Sequence, residues 1–440
     1  MVVIVLVLGL GACFGLSEAD DRYNSGVNLL EEGRFEEAIA EFDQAIFLDE
    51  SLSGAFHNRA LAKEHAGRLS ASIEDYTRSI TLEPDLALAY ANRAGVHIKL
   101  GDFHRALDDL DQALRLDDKS VLANNRHGLA LLNLGNPEEA LISLDRAIKL
   151  DPEFFQAYVN RGIAYARLGE SELALANYDR AIQLNPNYVV AYRNRGFEYL
   201  TQGEPELGIA DLDLAIELEP GIASSHADRG FAYAGLGNLT AAVDDYSRAI
   251  SVDPTYLNSY LNRGSAYDDL GKFEEAIADY GTALLLAPDS AAIYLNRGAS
   301  YHAQDDLQNA LADFEQAAFL DPSLPAAWYN LGVVHEDLGY LDQAATDYDQ
   351  AVSLAPEDVN ILINRALVNS TLGNNLLAVA DMDRVVEINP TYAKAYLVRA
   401  YAYSNLGKEA ESQADIDRAV ALGVDRAKAE KSIAEPTPAP

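Results

Sequence analysis

The sequence predicts an all-α solenoid, a stack of helix pairs, and three observations carry that prediction. The tripeptide Asn-Arg-Gly or Asn-Arg-Ala begins at Asn58, Asn92, Asn160, Asn194, Asn262, Asn296 and Asn364, always at multiples of 34 residues. Each 34-residue window holds two stretches with apolar residues at helical spacing, separated by a turn. Two places in the window, those of Gly162 and Ala174, hold only small residues in every copy. A period of this length marks a repeat architecture, because one helix pair cannot bury its apolar stripe alone and must stack on its neighbours.

Residues 1–18 read as an export signal. Met1 to Leu16 is almost wholly apolar. That run is shorter than the roughly 20 residues of a spanning helix and suits the apolar region of a signal peptide. Leu10-Gly11-Ala12-Cys13 resembles a bacterial lipobox, in which the cysteine is lipidated, and Cys13 is the only cysteine in the chain. Ser17-Glu18-Ala19 offers an ordinary cleavage site as well. No Lys or Arg precedes the apolar run, a departure from the usual leader. Export is expected, with Cys13 as the lipidation site and membrane tether or with a secreted or periplasmic product. A cytoplasmic protein with an apolar cap is the alternative.

Twelve windows then run from residue 19 to 426 without insertion or deletion. They are 19–52, 53–86, 87–120, 121–154, 155–188 and 189–222, then 223–256, 257–290, 291–324, 325–358, 359–392 and 393–426. In window 155–188 the first helix carries Tyr158, Gly162 and Tyr165 on one face. Gly169 ends it, since glycine tolerates the left-handed conformation after a helix. The second helix turns Ala174, Tyr178, Ala181 and Ile182 inward, and Pro186 stops it. Small residues on facing helices let the axes approach while the aromatics interlock around them. The turn glycine is replaced only by Asp305, and the closing proline only by Glu50, Asp118 and Val424.

The period, the aromatic–small–aromatic spacing, the alanines and the closing proline resemble tetratricopeptide repeats over residues 19–426. That resemblance implies antiparallel helix pairs stacked into a right-handed α–α superhelix with a concave groove. Residues 427–434 are expected to form a short capping helix, and Pro436, Pro438 and Pro440 an extended, disordered tail.

Composition removes several function classes. A net charge of −36 repels phosphate, so no nucleic-acid partner is expected. An apolar content of 49% excludes a disordered acidic chain. A lone cysteine and eight scattered histidines offer no zinc motif, and no phosphate loop or nucleophile elbow is present. His97 and His335 stand where Tyr165 stands in its window and read as groove or core substitutes. Asp108, Asp109 and Asp111 read as a solvated helix face. No enzyme, metal or cofactor is expected.

Two repeated polar places remain, counting places from the first residue of each window. Asn occupies place six at Asn24, Asn58, Asn92, Asn160, Asn194, Asn262, Asn296, Asn330 and Asn364, while the neighbouring places five and nine vary freely. Asn is a poor mid-helix residue, so something offsets its cost. By the resemblance, place six faces the groove, where such asparagines grip an extended peptide. A side-chain amide donates and accepts, matching any peptide group. Asn58, Asn92, Asn160, Asn194, Asn262, Asn296, Asn330 and Asn364 are therefore the candidate peptide-binding residues. The alternative is that each Asn bridges to the adjacent repeat and sets the pitch. Arg follows at place seven in nine windows and reads as an intrarepeat pin to a second-helix carboxylate, at the site of Asp211 or of Asp179. The family's carboxylate clamp for chaperone tails is matched only at Asn92 and Arg126, with His57, Leu61 and Leu122 in the remaining places. The function expected is a scaffold or adaptor that binds extended polypeptide segments. A cytosolic co-chaperone or regulatory scaffold, or the repeat arm of a larger enzyme, are the alternatives.

Overall fold

The computed structural model describes residues 17–434, so Cys13, the apolar leader and residues 435–440 lie outside the described residues. Among the described residues every regular element is a helix, and none is long and apolar enough to cross a membrane. The chain divides into two compact units, Met1–Pro220 and Gly221–Pro440.

In the first unit α1 (Glu18–Glu31) pairs with α2 (Phe35–Leu48), and α3 (Ser53–His65) with α4 (Leu69–Leu82). Next come α5 (Ala87–Lys99) with α6 (Phe103–Leu116) and α7 (Val121–Asn133) with α8 (Pro137–Leu150). The unit closes with α9 (Phe155–Arg167) and α10 (Ser171–Leu184), then α11 (Val189–Thr201) and α12 (Pro205–Leu218).

The second unit opens with α13 (Ala223–Gly235) on α14 (Leu239–Val252) and α15 (Leu257–Asp269) on α16 (Phe273–Leu286). It continues with α17 (Ala291–Ala303) on α18 (Leu307–Leu320) and α19 (Pro325–Asp337) on α20 (Leu341–Leu354). The last pairs are α21 (Val359–Thr371) on α22 (Asn375–Ile388) and α23 (Ala393–Asn405) on α24 (Glu409–Ala421). A final helix, α25 (Arg426–Ala434), packs on α23 and α24 and buries Ala429 completely.

Local chemistry sets these boundaries. After α9, Gly169 takes φ 76°, and the Glu170 N–H reaches back to the Tyr165 carbonyl at 2.9 Å, closing the helix end. Asp305 does the same work at φ 63°, the only non-glycine residue with positive φ among the described residues. The closing prolines have a second role. The Tyr158 hydroxyl donates to the Pro152 carbonyl at 3.1 Å and that of Tyr260 to Pro254 at 3.2 Å, so these inter-window turns are tied to the next first helix.

The two small places are where helix pairs close. A Cβ added at Gly264 would stand 2.8 Å from the Tyr280 ring, and one at Gly26 would stand 2.6 Å from Phe42. Those rings, with Tyr76, Tyr178, Tyr246, Phe314 and Tyr348, are among the largest fully buried side chains. Each first helix packs on its own second helix, and that second helix packs on the next first helix of the unit. Consecutive first helices also touch, as in α5–α7, α7–α9, α13–α15 and α17–α19, whereas no two second helices come comparably close. Within each unit the first helices therefore lie on the inner side of the stack.

Candidate functional site

The arginine at place seven binds two windows together. Arg195 on α11 donates from Nε and Nη2 to both oxygens of Asp211 at 2.7 Å, and from Nη1 to Asp179 at 2.6 Å. Asp211 belongs to its own window, on α12, but Asp179 lies on α10 of the window before. The expectation of an intrarepeat pin is corrected to a pin that also spans the repeat junction. Arg59 with Asp75 and Asp43, and Arg399 with Asp415 and Asp383, repeat the pattern. These carboxylate hydrogen bonds hold Arg195 well above the ordinary guanidinium value against the opposing effect of burial.

Departures from the pattern compensate one another. Window 325–358 has Leu331 in place of the arginine, and its buried Asp347 is held by His335 Nδ1 at 2.6 Å. In window 121–154 His127 meets Ser143 Oγ at 2.8 Å instead. The reading of Asp108, Asp109 and Asp111 as a solvated face fails for Asp109, which is buried and takes Arg93 through both oxygens at 2.8 and 2.6 Å. Its partner lies 16 residues away in the same window, at the spacing of Arg195 and Asp211.

The eight asparagines of place six that follow another window divide into two groups, and place five of that preceding window decides which. Asn58 Nδ2 donates to Tyr23 Oη at 3.0 Å, and Asn92 Nδ2 faces His57 Nε2 at 3.2 Å. Asn160 Nδ2 donates to Asn125 Oδ1 at 2.9 Å, and Asn364 Nδ2 to Tyr329 Oη at 3.1 Å. All four partners lie 35 residues earlier, at place five. Asn58 and Asn92 are buried, at 0% and 5% exposure. Asn58 is therefore corrected out of the set that a ligand could reach, and both residues join neighbouring first helices, through side chains rather than backbone.

Elsewhere the preceding place five is Val159, Ala227, Leu261 or Leu295, none of which offers a side-chain acceptor. Asn194 then bonds only to its own helix, at the Val190 carbonyl, 2.7 Å away. Among the described residues the side-chain amides of Asn262, Asn296 and Asn330 make no hydrogen bond within the chain; Asn296 is exposed and the other two are partly so. These four amides are open.

Asn194 lines a cavity of about 500 Å³ with Arg167, Phe197 and Glu198. A second cavity in the first unit, about 490 Å³, is lined by Leu61, Glu64, Asn92, Lys99, Arg126 and Gln156. Arg126 and Asn92 are bonded to each other there at 3.0 Å, and Arg126 also donates to the Ala91 carbonyl at 2.6 Å, so the partial clamp pair is engaged internally. Among the described residues no group of His, Cys, Asp or Glu could hold a metal ion. Sequence reasoning missed the carboxylates beside the open amides. Asp269 and Asp337 stand two helical turns after Asn262 and Asn330, a spacing readable in the sequence.

Family models described as Tetratricopeptide repeat match residues 23–87, 92–152 and 125–189, and further ones 325–358 and 393–422. A model described as TPR repeat matches residues 230–271, 265–305 and 300–339. A comparison with curated protein sequences finds no match. Among solved structures, the APC/C hetero-tetramer Cut9–Hcn1 is 13% identical at a TM-score of 0.45, with 96% of this chain and 97% of that chain covered. Yeast Tom70 is 17% identical at a TM-score of 0.40, covering 94% and 95%. A thermophilic TPR protein of Thermus thermophilus is 24% identical at a TM-score of 0.39, covering 41% of this chain and 98% of its own. Proteins of the matched family generally bind protein partners and are generally not enzymes. With the family models together matching most of residues 23–422, and a helix pair in each window between, the chain belongs to the tetratricopeptide repeat family.

Proposed function

We propose that the chain is a scaffold or adaptor, each of whose two units holds an extended polypeptide segment along its first helices. The side-chain amides of Asn262, Asn296 and Asn330 would pair with the backbone of a segment on the second unit, and that of Asn194 with the backbone of one on the first. One observation carries this reading: these amides keep a costly mid-helix residue yet have no partner on a neighbouring helix. Neighbouring first helices stand about 8–10 Å apart and an extended chain rises about 3.3 Å per residue, so one amide meets about every third peptide unit.

The test compares Asn262→Ala/Asn296→Ala/Asn330→Ala with Asn58→Ala. Each lost pair is worth about 0.5–1.5 kcal/mol, so the triple variant should bind the partner recovered from the host at least about tenfold more weakly, with unchanged helicity and melting. Asn58→Ala should instead lower stability and leave affinity intact. Native affinity in the triple variant sinks the reading.

Export is the second half of the proposal, supported by the apolar run from Met1 to Leu16 and the position of Cys13. Mass spectrometry of protein from its host should find a lipidated Cys13 terminus, lost in Cys13→Ser. An intact Met1 in a cytosolic fraction would refute it.

A further inference from the structure

The open amides of the second unit stand among carboxylates and away from cations. Asp268 and Asp269 end α15, and Glu336 and Asp337 end α19. Asp269 lies two turns above Asn262 on one helix face, and Asp337 two turns above Asn330. The exposed residues Ser265 and Ala299 leave the stripe between them low. The only Lys or Arg residues of α15, α17 and α19 are Arg263 and Arg297. Both turn to the second helices, where each holds an aspartate at 2.7 Å, Asp279 and Asp313. His302 reaches Asp337 at 2.7 Å and is the one basic group on the stripe itself.

Asp268 and Glu336 are held by hydroxyl donors rather than by cations. Asp268 accepts from the Tyr280 hydroxyl at 2.9 Å and from Ser300 at 2.7 Å, and Glu336 accepts from Tyr348 at 3.1 Å. Desolvation, with the neighbouring Asp269 and Asp337 charges adding to it, raises both Asp268 and Glu336 above the ordinary carboxylate range. A cation placed there would relieve that cost. The first unit differs at place thirteen, where Lys99 and Arg167 stand in place of Asp269 and Asp337.

We propose that the first-helix face of α15, α17 and α19 docks an extended segment carrying lysine or arginine side chains, its backbone on Asn262, Asn296 and Asn330 and its cations on the Asp268–Asp269 and Glu336–Asp337 pairs. The proposal rests on the amide reading above and adds the ligand's charge. The two carboxylate pairs are two first helices apart, about 20 Å. An extended chain covers that in about six residues, so the preferred segment has basic side chains at about that separation.

The experiment uses the full chain and three fluorescein-labelled Ser/Gly peptides of about twelve residues, read by fluorescence anisotropy. One carries two lysines about six residues apart, one carries glutamates there, and one serines. The lysine peptide should bind tightest and the glutamate peptide weakest, with affinity falling as salt rises. Asp268→Asn/Asp269→Asn/Glu336→Gln/Asp337→Asn, with unchanged helicity, should lose about tenfold or more for the lysine peptide and leave the serine peptide unaffected. Equal binding of the lysine and serine peptides, lost in the Asn262→Ala/Asn296→Ala/Asn330→Ala variant, overturns the charge preference and keeps the amide reading. Lysine-peptide binding that needs the carboxylates but not the amides supports the ligand class and overturns the amide reading. Preference for the glutamate peptide, or no binding of any of the three, overturns the proposal.

Discussion

Acid should weaken the first unit at the fully buried imidazole of His57. The ring is fully buried on α3, edge-on to Tyr76 at 5.3 Å, and burial pushes it down to about 4. The hydrogen bonds point the same way. Arg126 Nη1 donates to Asn92 Oδ1 at 3.0 Å, which leaves Asn92 Nδ2 facing His57 Nε2 at 3.2 Å. An amide N–H only donates, so Nε2 accepts and carries no proton. In the unfolded chain histidine titrates near pH 6.5. A folded value below the unfolded one means the stability of the neutral ring is complete above about pH 6.5 and is lost as the pH falls through that value towards 4. At about 1.4 kcal/mol per pH unit, the loss by pH 4 is about 3 kcal/mol. Other carboxylates titrate in the same range, so the readout is a difference. His57→Gln keeps an acceptor for Asn92 but has no charge to gain. Denaturant unfolding of both proteins from about pH 7.5 to 4 should show the gap between them moving by about 3 kcal/mol in favour of the glutamine variant. Parallel pH profiles, or a His57 imidazole resonance that titrates near 6.5, would refute the reasoning.

Arg195→Met should cost about 3–5 kcal/mol in chemical unfolding, because it strands Asp211, which is only 7% exposed, without a cation. Adding Asp211→Asn should restore most of that, and a double variant no more stable than the single one would show that the pin acts otherwise. Asp305→Gly should stabilise the α17–α18 hairpin by about 1 kcal/mol, since it removes a side chain from φ 63°; hydrogen exchange there should slow, and unchanged exchange would count against strain.

The period, the helix pairs and the pairing of place-seven arginines with second-helix carboxylates were legible from the sequence. Twelve copies serve as an internal comparison, and helix periodicity, turn glycines and closing prolines act over a few residues. The legibility stopped at the repeat junctions. Arg195 looked like a pin within one repeat because Asp211 lies within its window, yet Asp179 of the preceding window completes it. Within one repeat, Asp109 reads as solvated beside Asp108 and Asp111 although it stands at the site of Asp211 in its window, and Arg93 holds it across the helix pair. The asparagines looked equivalent because place six repeats and place five drifts. Place five proved to be the partner: Tyr23, His57, Asn125 and Tyr329 close the amides opposite them, while Val159, Ala227, Leu261 and Leu295 leave theirs open. Periodicity reports which residues share a helix face, but a hydrogen bond depends on which side chain of the neighbouring helix stands about 3 Å away, and only the stacking of first helix on first helix brings residues 35 apart to that distance.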